Sequence, residues 1–513
     1  MAEVSRTARV IQNAKVALFF YCINLILQFF SRKIFLDYLG AELLGLNTTA
    51  QNLLQFLNLA ESGIGAAVAF ALYKPLSQGN RQEIIDIVSL QGWFYRWVGL
   101  IVIVGSIVLM AFFPWIFAKA EVPLIYAYGT FIAFLISALL GYFVNYKMIV
   151  LSADQKEYKI TIETQSVKII KVFIQMLAIW KLPYGYVWWM MLEVAAAVLT
   201  SIRLHYSVKK EYSWLVPQIS RGNILKQQYS FVLVKTKQLF FHRIGGYVLG
   251  QTTPLVIYAF TTLTVVAIYG NYLLIMGGCL MLTDAFFRGF NASVGNLISE
   301  GDLEKIKKTF WEMLTLRLFL AGLICFGIYA LSDQFMTLWL GRDYVMPVLP
   351  LFLMTSIYFV QMSRTCDIFL WGYGLFQDIW APVLESLLNL GLSIIFGAYW
   401  GLSGILMGVL LSQIIVVNSW KAYFLYKVGF KESVAQYALR YTKKMLLLSI
   451  VLFLSYFILH HFLFEADGYI AWLQQAVVLV FLYLILGGGV FYIFDNNFRS
   501  VLCRVVKSGK NTI

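Results

Sequence analysis

Residues 470–494 read IAWLQQAVVLVFLYLILGGGVFYIF, and these 25 residues include no Asp, Glu, Lys or Arg. A helix needs about 20 consecutive apolar residues to cross the hydrocarbon core of a bilayer, so this stretch predicts a membrane-spanning helix. Residues 445–463 form a second run without these charged residues just before it. The two runs together predict a pair of helices that can face lipid or offer an apolar surface to a lipid tail.

The hydrophobic character extends over the whole chain. Of its 513 residues, 60% are hydrophobic and 13% are charged, whereas a soluble domain carries about 25% charged residues. The sequence therefore predicts an all-α polytopic membrane protein with about 14 transmembrane helices. The predicted helices are 15–36, 43–73, 92–118, 122–147, 160–180, 184–206, 229–257, 263–298, 311–331, 347–371, 380–400, 402–424, 445–463 and 470–494.

Basic residues outside the predicted helices indicate the orientation. If the N-terminus is cytoplasmic, 26 Lys and Arg residues fall on the inner side and only Lys119, Lys181 and Arg342 fall outside. The positive-inside rule then predicts that both termini are cytoplasmic. The net charge of +14 comes from basic residues dispersed between apolar runs, so we expect no nucleic-acid partner.

The remaining basic residues lie inside the predicted helices, where a cation costs a few kcal/mol unless it faces water or a partner. This distribution predicts a wet, positively charged interior that handles an anion. The eleven residues are Arg32, Lys33, Arg96, Lys168, Lys171, Lys235, Lys237, Arg243, Arg288, Arg317 and Arg364.

A weak internal repeat predicts how the helices are grouped. Residues 76–80, LSQGN, and residues 298–302, ISEGD, end the second and eighth predicted helices at an offset of 222. Two parallel units of six helices are typical of a two-lobed transporter. We therefore predict one lobe at 1–228, a second at 229–444, two additional helices at 445–494 and a cytoplasmic tail at 495–513.

The sequence contains no signature of an enzyme. It has no P-loop and no G-x-S-x-G nucleophile motif, and its four histidines lack acidic or cysteine partners at metal-ligand spacing. The five cysteines suggest no disulfide framework. We expect no catalytic residues, no metal site and no cofactor.

Several short motifs carry a family resemblance. They include SRKIF at 31–35, LAESGIG at 59–65, HRIGG at 242–246, IYGNY at 268–272 and GLFQD at 374–378. In order and spacing over nearly the whole chain, they resemble the bacterial polysaccharide and O-antigen flippases of the multidrug/oligosaccharidyl-lipid/polysaccharide exporter superfamily. One departure is Thr253-Pro254, where relatives often have Asp in the seventh helix.

The resemblance implies two pseudo-symmetric six-helix lobes around a central cationic cavity, in a bacterial inner membrane. It also implies a flippase that carries a polyprenyl-pyrophosphate-linked oligosaccharide, such as an O-antigen, capsule or exopolysaccharide repeat unit, to the outer leaflet by alternating access. Its partners would be this lipid-linked oligosaccharide, membrane lipids and H+ or Na+ as a coupling ion. The alternatives are an ion-coupled multidrug exporter, which needs an acidic cavity, and a membrane glycan polymerase or ligase, which needs a large external loop.

Pyrophosphate requires cationic donors, and Arg is suited to it because its fork donates two hydrogen bonds. Lys235, Lys237, Arg96 and Arg317 lie near predicted helix ends, where long side chains reach the interface. Arg288 has Asp284 four residues before it, and Arg364 has Asp367 three residues after it, so either could be a neutral structural pair. The predicted substrate cations are Arg32, Lys33, Lys168, Lys171, Arg243 and Arg364.

Acidic residues inside the predicted helices have two interpretations. The first is structural pairing with nearby cations, and the second is coupling to a proton or sodium ion. These residues are Glu61, Glu163, Glu193, Asp284 and Glu385.

Overall fold

The computed structural model describes residues 6–61, 63–375, 378, 380–462 and 468–510, and in parts of some helices, including 241–249 and 288–293, it describes the backbone alone. Helices make up 90% of the structure, and the described residues contain no strand. The predicted fold class, an all-α multi-pass membrane protein, is therefore confirmed.

The chain divides into two compact units, residues 1–267 and 268–513. Unit 1 contains α1 (Arg6–Asn58), α2 (Ile64–Gln78), α3 (Arg81–Ala111), α4 (Phe113–Ile116), α5 (Leu124–Phe143), α6 (Ile149–Ala153), α7 (Glu157–Lys181), α8 (Gly185–Glu211), α9 (Gly222–Gln228) and α10 (Ser230–Phe260). Helix α10 packs against α1 and α2, and α11 (Leu263–Glu300) begins just before the boundary. The predicted lobe boundaries at 228 and 444 stay predictions.

Unit 2 continues from α11 to the C-terminal part of the chain. It contains α12 (Leu303–Trp339), α13 (Val348–Met362), α14 (Cys366–Gly372), α15 (Trp380–Gln413), α16 (Lys421–Phe424), α17 (Val434–Phe462), α18 (Tyr469–Phe494) and α19 (Asn496–Lys510). Wider π-helical turns at Ile414–Trp420 and Leu425–Phe430 flank α16, so the helical path runs without a loop from α15 to residue 430.

Nine helical segments of the described chain are long and apolar enough to cross a membrane. Two of them, Gln12–Asn58 and Trp380–Phe430, have 47 and 51 residues, and each is long enough for two crossings. Helices α7 and α10 match the predicted fifth and seventh spans in position but are not among the nine. The count of fourteen spans stays a prediction.

Two glycines divide α1 and α15 where the sequence predicts a loop. Gly40 has φ 81° and ψ 171° inside α1, and Gly401 has φ 55° and ψ −132° inside α15. Residues with a Cβ atom are strained in these backbone conformations, whereas glycine is not. Each kink falls between two predicted spans, 15–36 and 43–73 in the first case and 380–400 and 402–424 in the second.

Two other predicted spans are broken. The run 43–73 is interrupted by a 3₁₀ turn at Leu59–Glu61, after which α2 begins at Ile64. The run 347–371 is broken at residues 363–365, between α13 and α14. Inside a membrane, a break of this kind frees backbone carbonyls that other protein groups must satisfy.

The two C-terminal spanning helices bury one face each. In α18 the buried residues Leu479, Tyr483, Gly487 and Phe491 recur every four positions, which places them on one side of the helix. Tyr483 Oη donates to the carbonyl of Phe319 in α12 at 2.9 Å. The opposite side, including Phe481 and Ile485, is exposed. These helices therefore pack on α12 and leave an apolar face uncovered by the described residues of their unit.

Candidate functional site

A cavity of about 500 Å³ inside unit 2 collects charged side chains from distant parts of the sequence. We call it the charged cavity. Its lining includes Asp284 and Phe287 of α11, Arg317 of α12, Arg364 and Asp367 at the break between α13 and α14, and Lys421 of α16. Among the residues that the structure describes, the charged side chains of this lining are three cations and two carboxylates.

Asp367 is the centre of the charge network in this cavity. Its side chain is 10% exposed and accepts from Arg364 Nε at 2.7 Å. Lys421 Nζ donates to its other carboxylate oxygen. One carboxylate thus holds two cations, so one positive charge of this trio is not neutralised within it. Either cation remains compensated by Asp367 if the other is removed.

Arg317 supports the helix break that positions Arg364. One of its terminal nitrogens, NH1, donates to the carbonyls of Met362 and Arg364 at 3.3 and 3.2 Å, which satisfies acceptors freed by the break. Its guanidinium also lies 4.3 Å from the centre of the Phe287 ring, a cation–π contact. Its Nε is buried without an acceptor among the described residues.

Two predicted acids lie at or near the charged cavity. Asp284 is an exposed part of the lining. Glu385 of α15 is 3% exposed and lies within electrostatic range of Arg364 and Lys421. It makes no ion pair with a described residue. The spacing also predicts a pair of Asp284 with Arg288. This pair stays a prediction, because the side chain of Arg288 is not among those that the structure describes.

The adjacent predicted cations of α1 have different surroundings. Arg32 NH2 donates to the carbonyl of Ala267 at 3.4 Å, and its side chain is half-buried. Lys33 pairs with Asp37 one turn later at 3.3 Å, and both side chains are more than 40% exposed. A pair this exposed contributes little to stability. The side chain of Arg243, the predicted cation of α10, is outside the described residues.

The predicted pair in α7 separates into a compensated and an uncompensated cation. Lys171 Nζ donates to both carboxylate oxygens of Glu193 in α8, at 2.7 and 2.9 Å. Gln175 Nε2 also donates to Glu193, at 3.1 Å. Lys168 is exposed and has no ion pair within the described chain. Glu163 pairs with Arg203 at 2.6 Å.

Glu61 lies in a separate cavity, inside unit 1. Its carboxylate accepts a hydrogen bond from Tyr95 Oη at 2.6 Å. The cavity has a volume of about 300 Å³, and no Lys or Arg appears in the described lining. The described lining of this cavity is therefore acidic, whereas the described lining of the charged cavity carries more cations than carboxylates.

Among the residues that the structure describes, no group of three or more His, Cys, Asp or Glu side chains could hold a metal ion.

Sequence reasoning missed two members of the charged cavity. Arg317 is predicted near the start of a helix at 311–331, but α12 begins at Leu303, so Arg317 lies well inside it. Lys421 is predicted on the cytoplasmic side, but the helical path continues to Phe430. The polar residues at 363–365 could have indicated a helix break in the sequence. A break inside a membrane needs donors for its free carbonyls, and Arg317 is such a donor.

Comparison with known proteins gives structural matches only. A solved structure described as the lipid II flippase MurJ in an inward closed conformation has a TM-score of 0.63 and 17% identity, covering 94% of this chain and 99% of that one. An inward-facing multidrug resistance MATE family transporter of the MOP superfamily has a TM-score of 0.59 and 13% identity, covering 79% of this chain and 96% of that one. No protein-family model and no curated protein matches the sequence.

These likenesses define the class of fold. The chain has the fold of a multi-pass membrane transporter of the type found in the MOP superfamily. Neither structural neighbour is described as an enzyme.

Proposed function

We propose that the chain flips a polyprenyl-pyrophosphate-linked oligosaccharide from the cytoplasmic to the outer leaflet of a bacterial inner membrane, by alternating access. The main support is the charged cavity, in which Arg317, Arg364 and Lys421 surround the carboxylate of Asp367. The fold shared with a lipid II flippase supports the same class of substrate.

The chemistry of the cavity suits a pyrophosphate diester, which carries two negative charges near neutral pH. Arg364 offers a planar fork that can donate two parallel hydrogen bonds to phosphate oxygens, and Lys421 offers a compact point charge. Both side chains already bind the oxygens of Asp367. Pyrophosphate oxygens would compete with that carboxylate for the same donors, so the cations that the substrate needs are already gathered in the cavity.

The remaining cations extend this proposal to unit 1. Four predicted cations of unit 1 remain candidate contacts of the substrate: Arg32, Lys33, Lys168 and Arg243. Lys171 is not among them, because both carboxylate oxygens of Glu193 accept hydrogen bonds from its ammonium group. We assign Lys171 to structural pairing and Lys168 to the substrate.

The sign of the charge separates this proposal from a drug exporter. A cavity for cationic drugs should be acidic, whereas the described lining of the charged cavity has three cations and two carboxylates. An exporter would instead use the acidic cavity around Glu61. Export of ethidium from intact cells, measured beside glycan export, distinguishes the two functions.

The test is complementation in a flippase-deleted strain that makes a suitable glycan. Arg364→Gln and Lys421→Met should each abolish surface glycan while the protein stays abundant in the membrane, because Asp367 retains one cation in either variant. Arg364→Lys should be impaired as well if the planar fork matters. Lys305→Met is the matched control, since Lys305 lies on the exposed N-terminal part of α12 and pairs with Glu300. Normal glycan export by an Arg364→Gln/Lys421→Met double variant would refute the proposal.

A further inference from the structure

One face of the short helix α14 borders the charged cavity. Asp367, Ile368 and Trp371 all belong to the lining of this cavity, and residues with this spacing lie on one side of a helix. The side chain of Trp371 is 59% exposed. Trp371 follows Asp367 by one helical turn, which is about 6 Å along the helix axis. The carboxylate that binds Arg364 and Lys421 therefore has a large, open aromatic side chain beside it.

The packing of α14 does not use this aromatic ring. Phe369 is fully buried, and its ring centre lies 5.2 Å from that of Phe310 in α12. Gly372 packs so closely on α11 that an added Cβ atom would lie 2.6 Å from Ile298 Cδ1. These two residues hold the helix in place, whereas the Trp371 ring contacts no other aromatic ring among the described residues. The ring is thus positioned before a ligand arrives, which lowers the entropic cost of binding.

Two polar side chains without a strong partner line the same cavity. Gln361 of α13 is half-buried, and its amide makes no hydrogen bond with a described residue. Asp284 of α11 is exposed and has no ion pair with a described residue. An amide donates and accepts hydrogen bonds, and a carboxylate accepts them. Next to its cations, the charged cavity therefore has an aromatic face with neutral and acidic hydrogen-bonding groups.

This second set of groups suits a pyranose ring. The face of an aromatic ring carries the negative part of its quadrupole, and the C–H groups on one side of a pyranose are slightly positive. The hydroxyl groups at the edge of the sugar are donors that an amide oxygen or a carboxylate accepts. A prenyl tail would instead need surroundings free of charged groups. A Trp that anchors a helix at the membrane surface faces lipid headgroups, whereas Trp371 borders a cavity inside unit 2.

We propose that the first sugar ring of the lipid-linked oligosaccharide stacks on Trp371, and that Gln361 and Asp284 bind its hydroxyl groups. This inference rests on the proposed function, because it assigns a place to the sugar that follows the pyrophosphate. Phosphate oxygens bound by Arg364 and Lys421 bring the directly attached sugar to the next helical turn, where Trp371 lies. A volume of about 500 Å³ is within the range of sites for one small molecule. The cavity therefore selects the first sugar and leaves the later ones unread.

The experiment compares two ligands of the purified full-length protein in nanodiscs. One is undecaprenyl pyrophosphate, and the other is the same lipid with only the first sugar of the repeat unit. The second ligand is extracted from the strain that the protein complements, after removal of its second glycosyltransferase. Microscale thermophoresis measures the Kd of each ligand. Lipid and pyrophosphate are common to both, so a change in the ratio of the two Kd values reports the contact with the sugar.

Two variants of Trp371 test the stacking contact. Trp371→Ala should weaken the complex with the sugar-bearing lipid about tenfold, the upper range for an aromatic contact, and should change the Kd of undecaprenyl pyrophosphate less than twofold. Trp371→Phe keeps an aromatic face and should restore most of the loss. Trp400→Ala is the matched control, because Trp400 is 58% exposed in α15 and is not in the described lining of the charged cavity. It should leave both Kd values unchanged.

Two further variants separate sugar binding from pyrophosphate binding. Gln361→Leu removes a hydrogen-bonding group and should weaken the sugar-bearing complex about fivefold. It also tests the site if Trp371→Ala does not fold. Arg364→Gln should weaken both complexes by similar factors, because it removes a donor to the pyrophosphate.

The possible failures of the two proposals differ. A wild-type protein that binds neither ligand would refute the flippase function, and the sugar site with it. Binding of both ligands with an unchanged Kd ratio in Trp371→Ala and Gln361→Leu would refute the sugar site alone. An equal loss of both ligands in Trp371→Ala, or a loss as large in Trp400→Ala, would also overturn the stacking role.

Discussion

Replacement of Lys171 and Glu193, singly and together, separates structural pairing from substrate binding. Both carboxylate oxygens of Glu193 accept from Lys171 Nζ, and the two side chains are 18% and 15% exposed. Removal of one partner from a buried pair costs about 3–5 kcal/mol, because the other charge is left without compensation. Partial exposure favours the lower end, about 3 kcal/mol. This loss raises the unfolded fraction roughly a hundredfold.

The double variant Lys171→Met/Glu193→Met removes both charges at once. Replacement of a buried pair by apolar residues of similar size is often close to neutral, so we expect stability within about 1 kcal/mol of the wild type. Gln175 loses one acceptor, but it keeps its hydrogen bond to the carbonyl of Trp189 at 3.1 Å. The two single variants should therefore be scarce in the membrane, and the double variant should be abundant.

The assay combines membrane abundance with glycan export in a flippase-deleted strain. We expect the double variant to restore both, whereas Lys168→Met should keep abundance and lose export. An abundant double variant without export would refute the structural assignment and place Lys171 among the substrate ligands. Single variants as abundant as the wild type would refute the estimate of the pairing energy.

Three further predictions concern unit 2 and the energy source. Lys444→Met should lower the free energy of unfolding by about 3–5 kcal/mol, because Lys444 pairs with Asp495 and both side chains are almost fully buried; chemical unfolding measures this. Photocrosslinkers at the exposed positions Phe453 and Ile485 should capture the prenyl part of the substrate, detected by mass spectrometry. An inside-negative potential should speed flipping in vesicles, because two charges crossing 100 mV release about 4.6 kcal/mol.

Each of these predictions has its own control. Lys443→Met changes the exposed neighbour of Lys444 and should be nearly neutral, whereas an equal loss in both variants would contradict the buried-pair argument. A crosslinker at exposed Ile125 of α5 reports bulk lipid, and equal capture there would exclude a prenyl groove on α17 and α18. Flipping rates that ignore reversal of a potassium–valinomycin potential would exclude voltage as the driving force.

The sequence by itself determined the class of fold and the places where α1 and α15 bend. Charge-free runs longer than a bilayer crossing require helices, because backbone groups in lipid must be satisfied within the segment. Gly40 and Gly401 sit between predicted spans, and the structure has non-helical backbone at both. The sequence also located Arg364 and Asp367 as an i, i+3 pair, which the structure contains at 2.7 Å.

Only the tertiary structure decided which charges meet. Lys171 and Glu193 are 22 residues apart, and Lys421 and Asp367 are 54 apart, so no helical spacing predicts either pair. Arg317 was assigned to a helix end because apolar runs mark where hydrophobicity begins, whereas α12 starts at Leu303 among charged residues. Burial and ion pairing depend on the packing of separate helices, and the periodicity of one helix does not contain that information.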